Sequence, residues 1–231
     1  MNKFIPTIVS RPQSSNLMNV LVPVIAVILT LLTGSIIFSI MGFNPFFALH
    51  TFFISPISTS YGISELLVKA TPLALIAIGL AFCFKNNIYN IGAEGQLTMG
   101  AIFGGGIGIY FYDTNAFWLL PLMILGGAIG GALWAMIPAL LKTKFNTNEI
   151  LTSLMLVYVA LLILDYLVVG PWKDPLGYSF PKTRQFSESG RMPLLFSGLR
   201  VHFGLIITLV LIFFSWFIFS KTIFGFQLKV S

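Results

Sequence analysis

Residues Phe84 to Gly108 read FKNNIYNIGAEGQLTMGAIFGGGIG, and this stretch decides the fold. Asn86, Asn87, Asn90, Glu94 and Gln96 fall within about three helical turns, after which the chain resumes as an apolar helix studded with glycine. Long apolar runs lie on both sides of the break. The stretch is thus a polar interruption inside a chain built for lipid.

Composition supports that setting. The chain is 57% hydrophobic and 9% charged, with a mean hydropathy of +0.93, whereas soluble domains carry roughly a quarter charged residues. The apolar runs mostly exceed the ~18 residues of a spanning helix and do not alternate as barrel strands would. Lipid offers no partners to backbone N–H and C=O groups, so the expected fold is all-α: a polytopic transmembrane helical bundle of about six spans.

The net charge of +6 comes from Lys and Arg at the ends of apolar segments, not along one face. Such charges act as orientation signals and argue against nucleic-acid binding. They place the N-terminus in the cytoplasm. Residues 1–16, with Pro6 and Pro12, form the expected cytoplasmic tail, and residues 17–231 the transmembrane domain.

The spans are expected at about Leu17–Met41, Leu66–Phe84, Ile91–Tyr112, Phe117–Leu141, Glu149–Val169 and Val201–Phe219. Residues 42–65 lack Lys and Arg and read as an outer loop. Lys69 is close enough to its boundary to snorkel. Residues 170–200, rich in proline and charge, read as an ordered external segment despite opposing the positive-inside count. The first apolar run is too long for a cleaved signal peptide and is expected to stay as a helix.

Gly92, Gln96, Gly100, Gly104 and Gly108 recur every fourth residue in the third span. In the fourth, Gly126 and Gly130 repeat the device, as do Gly127, Gly131 and Ala135. Faces without side chains let helices approach closely, so these two spans are expected to pack together. At the start of the fifth, Thr147 or Asn148 can cap the helix and Glu149 can complement its dipole.

Catalytic chemistry has little to stand on. His50 and His202 lie near outer boundaries with no HExxH pattern, Cys83 is the single cysteine, and no metal or cofactor site is expected. There is no GxSxG elbow and no phosphate-binding GxxxxGK[ST] loop. The GGGIG run at 104–108 lies inside an apolar span and is read as helix contact.

Glu94 and Asp165 are the carboxylates placed nearest to membrane depth. Two readings of Glu94 stand side by side. It can cap the broken start of the third span, or it can join Asn90 and Gln96 in a polar pathway, as interrupted helices do in carriers.

The run YNIGAEGQLTMGA resembles the signature of the permease subunit of bacterial ABC importers for nucleosides and simple sugars, in Asn90, Ile91, Gly92, Glu94, Gly95 and Gln96. TNEILTSLMLVYVA, from Thr147 to Ala160, and GPWKDPLGYSFPKTRQF, from Gly170 to Phe186, are similar to two further segments of that family. The resemblance implies a pathway lined by Asn90, Glu94, Gln96, Asn148 and Glu149. It also implies a second permease subunit, a cytoplasmic ABC ATPase, an external substrate-binding protein and residence in the bacterial cytoplasmic membrane.

ATP hydrolysis is then expected on the separate ATPase, with this chain not an enzyme. Family members continue beyond the stretch that matches Gly225–Leu228, so the resemblance implies a piece of a longer protein. An ion-coupled secondary carrier is the alternative, with Glu94 or Asp165 binding the ion.

Overall fold

A computed structural model describes residues 16–178 and 180–230. The tail expected over 1–16 therefore lies, apart from Asn16, outside the described residues. The chain folds as helices α1 (Asn16–Ile40), α2 (Pro45–Phe53), α3 (Ser60–Lys85), α4 (Ala93–Tyr110), α5 (Leu119–Phe145), α6 (Glu149–Val169), α7 (Gly204–Lys221) and α8 (Ile223–Val230). Two isolated bridges, Lys173 with Thr183 and Leu194 with His202, shape the segment between α6 and α7.

Among the described residues five helices are long and apolar enough to cross a membrane: α1 from Leu17, α3, α5, α6 and α7. The remaining expected span, the third, is α4, present at 18 residues but outside that set. Glu94, Gln96 and the glycines lower its hydropathy. It is the helix that can least afford to face lipid.

Contacts divide the chain into two units, residues 1–63 and 64–231. In the first, Asn44 caps α2 by accepting from the Phe46 and Phe47 amides at 3.0 and 3.3 Å. The outer loop expected over 42–65 thus contains a short helix, and α3 starts at Ser60, six residues before the expected Leu66.

The second unit is organised around α4. Two small-residue faces of α4 meet two different helices. A Cβ on Gly92 would lie 2.9 Å from Ser153 Cβ, and one on Gly95 2.9 Å from Val157 Cα, both on α6. On Gly100 it would lie 2.9 Å from the Gly127 carbonyl oxygen, and on Gly104 2.7 Å from that of Met123, both on α5. The reason is helical rotation: Gly95 and Gly100 are five residues apart, about 140° around the helix, so the two faces point at different neighbours.

Across the α4–α5 contact, Gly127 and Gly131 sit against the backbones of Gly100 and Gln96, at 3.2 and 3.1 Å for a built Cβ. Gly126 and Gly130 instead receive the Ile107 and Phe103 side chains. Met99, Ile102 and Ala160 form the buried core beneath, flanked by Trp134 and Trp172. At the far end of α4, Gly108 accommodates Met123 and Phe186, and Gly106 the Trp172 ring, so the 170–203 segment is anchored on glycine.

Candidate polar groove

The chain between α3 and α4 turns at Asn87, whose φ of 54° is left-handed, a conformation asparagine tolerates better than most residues. It then runs without regular structure to Gly92. This path brings Asn90 back over the first turn of α4. Asn90 Nδ2 donates to Gln96 Oε1 and Gln96 Nε2 donates to Asn90 Oδ1, each at 3.2 Å.

Asn90 Oδ1 also accepts from the Gly92 amide at 2.9 Å. The neighbouring Ile91 amide donates to Ser153 Oγ on α6 at 3.3 Å, and that hydroxyl donates to the Ile150 carbonyl at 3.2 Å. After these bonds the pair retains one N–H on each amide and one lone pair on Gln96 Oε1. Two donors and an acceptor are thus available to a neutral polar solute.

Three adjoining open cavities meet at Gln96. One of about 370 Å³ lies against α3, lined by Pro72, Gly79 and Cys83. A second of about 270 Å³ extends toward Lys142, Glu149 and Ser153. A third of about 540 Å³ runs along Gly100, Gly127 and Gly131. Gln96 and Ala135 line all three, and Asn90 the first two.

Glu94 is not part of this arrangement. It is exposed and lines none of the three cavities; its carbonyl accepts from Thr98 Oγ1 at 2.9 Å. It is two positions from Gln96, which is 200° around a helix. In the first turn of α4 it sits where the dipole favours a carboxylate. Asp165 is likewise exposed and away from the groove.

Asn148 caps α6, accepting from the Ile150 and Leu151 amides at 2.9 and 3.3 Å. The α5–α6 turn is short because Asn146 ends α5 at a left-handed φ of 53°. Lys142, in the last turn of α5, is thereby set opposite Glu149, and the two form an ion pair. Asn148→Ala should remove about 1 kcal/mol of cap energy, which a lower unfolding temperature in detergent would report; an unchanged value would show that the turn holds without the cap.

Sequence reasoning missed Ser153 and Lys142 at the groove. It also missed a cluster at the start of α3 in which Arg200 Nη1 meets Glu65 Oε2 at 3.2 Å and the Arg200 amide donates to Ser64 Oγ at 3.0 Å. The partners are 62, 7 and 135 or more positions apart, or in a turn that reads as loop. Only the fold joins them.

Comparisons with known proteins bear on this arrangement. A glucose ABC transporter permease protein of Haloferax volcanii is 34% identical over 216 residues, 89% of this chain and 56% of that protein. A guanosine ABC transporter permease protein of Bacillus subtilis is 32% identical over 218 residues, 92% of this chain and 61% of that one. A second guanosine ABC transporter permease protein of the same organism is 30% identical over 171 residues, 71% and 53% of the two chains.

The chain thus spans a little over half the length of these relatives, and no solved structure matches it. The profile of the family described as "Branched-chain amino acid transport system / permease component" matches residues 62–231, which takes in the whole of α4 to α8 and the groove. On that match and these identities, this multi-pass membrane chain belongs to that family of transporter permeases, which are not catalytic enzymes.

Proposed function

We propose that this chain forms part of the translocation pathway of an ATP-driven ABC importer for a nucleoside or simple sugar, with Asn90 and Gln96 lining it. The observation that carries the reading is the amide pair whose Gln96 stands at the junction of three cavities. Its spare donors and acceptor suit the hydroxyls of a sugar or the edge of a base, and it carries no charge that a neutral solute would have to displace. The relatives named for guanosine and glucose support the same substrate class, although the family takes its description from branched-chain amino acids.

The partners in this reading are a second permease subunit, a cytoplasmic ABC ATPase, an external substrate-binding protein and the surrounding bilayer. That Bacillus subtilis has two matching guanosine permeases supports a pair of permeases. ATP is hydrolysed on the ATPase. The location is the bacterial cytoplasmic membrane with the N-terminus inside, in keeping with Lys85, Lys142, Lys144 and Lys221 at one end of the helices. Residues 170–200 then lie outside, where the binding protein docks.

Uptake by the full-length permease assembled with its partners tests the site. Gln96→Leu removes one of the two spare donors and the spare acceptor and breaks up the amide pair, without touching the Gly92 turn, and should lower uptake about tenfold, as a barrier raised by ~1.4 kcal/mol would. Glu94→Gln should leave uptake within a factor of two of wild type on the same scale. The reverse pattern, with Glu94→Gln inactive and Gln96→Leu normal, would move the pathway to the other face of α4 and revive ion coupling.

A further inference from the structure

We propose that the Lys142–Glu149 ion pair closes the inner mouth of the groove, an inference that rests on reading the groove as the pathway. Both residues line the 270 Å³ cavity together with Cys83, Asn90 and Gln96. Their depth follows from α5. Gln96 packs at the level of Gly131 and Ala135, whereas Lys142 lies seven residues beyond Ala135, about 10 Å nearer the end of the helix. The pair is therefore at the rim and the amides are at the floor.

Two features suit the rim to opening. The pair joins the last turn of α5 to the first of α6, so separating it parts two helix ends. Pro138 lies between the floor and the rim, inside α5 and on the cavity wall. It has no N–H to bond the Trp134 carbonyl, which leaves the segment from Ala139 to Phe145 held less tightly to the rest of the helix. The side chains of Lys142 and Glu149 are 39% and 18% exposed, so water reaches the bridge and its contribution is modest. A gate that must open in each cycle needs such a bridge.

Cys83 supplies the probe, since it lines the cavity that the bridge borders. The measurement is its rate of labelling by a membrane-impermeant maleimide in inside-out vesicles containing the full-length permease with its partners and Cys83 as sole cysteine. Lys142→Gln and Glu149→Gln should each raise the rate about fivefold, near the upper limit for a partly exposed pair. Lys142→Arg should stay slow, and the exchange Lys142→Glu with Glu149→Lys should return the rate toward wild type.

Unchanged labelling in both neutral variants would overturn the closure, as would an exchange variant as fast as the single ones. If the neutral variants fail to accumulate, Lys142→Cys with Glu149→Cys in a Cys83→Ala background takes their place. Oxidation should stop uptake and reduction should restore it, and uptake indifferent to the cross-link would sink the proposal. Normal uptake by Gln96→Leu beside faster Cys83 labelling would leave the closure standing and remove the pathway reading instead.

Discussion

Gly104→Leu should leave almost no folded protein in the membrane, while Gly105→Ala, one residue along the same helix, should accumulate as wild type. A Cβ on Gly104 would sit 2.7 Å from the Met123 carbonyl oxygen and 3.5 Å from the Gly127 Cα. Both obstacles are backbone, so no rotamer change relieves them. Only separation of α4 from α5 does, and that would open the contact along Gly100, Gly127 and Gly131 as well.

Overpacking a well-filled core costs about 1–3 kcal/mol, and a leucine driven against a backbone belongs at or above the top of that range. In lipid the loss is felt in full, because apolar surface gains little by being buried from an apolar solvent and close packing is what holds the helices together. Gly105 makes the control sharp. Its built Cβ would meet Phe186 Cζ at 3.6 Å, an ordinary contact, while alanine has the same effect on helix propensity at both sites. The readout is the monodisperse fraction in detergent for Gly104→Ala, Gly104→Leu and Gly105→Ala. Equal fractions for the two alanine variants would mean that α4 and α5 are not held by this contact.

Where the sequence is legible, the signal is local. The fifth expected span and α6 share both boundaries, because Asn148 is a good cap and Glu149 suits a first turn. The start of α3 is misplaced because Ser60, Gly62, Ser64 and Glu65 are small or polar and read as loop; Ser64 and Glu65 are spent on Arg200, 135 or more positions away. Helix α2 escapes notice because its nine residues, starting at Pro45 and soon followed by Pro56, are too few to show a period.

The site follows the same division. Asn90, Gln96 and Glu94 are equally conspicuous in sequence, but whether each meets the groove depends on angle. The irregular approach to Gly92 folds Asn90 back onto Gln96, and helical rotation turns Glu94 away. Likewise the every-fourth glycine row gives no hint of being shared between α6 and α5 until the neighbouring helices are in place.

Gly79→Leu should accumulate normally and yet import poorly, the opposite signature to Gly104→Leu. Gly79 lies inside α3 and lines the 370 Å³ cavity with Asn90 and Gln96. A Cβ built on it has nothing within 4 Å. No packing reason for glycine exists there, and glycine is about 1 kcal/mol less favourable than alanine or leucine in a helix interior. Leucine should therefore be neutral or mildly stabilising for folding.

Its side chain would project into the open space in front of the amide pair. A solute passing Asn90 and Gln96 would have to displace it, and an added barrier of only ~1.4 kcal/mol lowers uptake about tenfold. Gly79→Ala, one carbon in place of four, should have a much smaller effect, so the loss should scale with volume. The measurement is uptake per folded full-length permease for the glycine, alanine and leucine forms. A graded loss at constant accumulation is what an obstructed pathway produces. Wild-type uptake in the leucine form would mean that substrate does not pass between α3 and α4, however well the amide pair suits it.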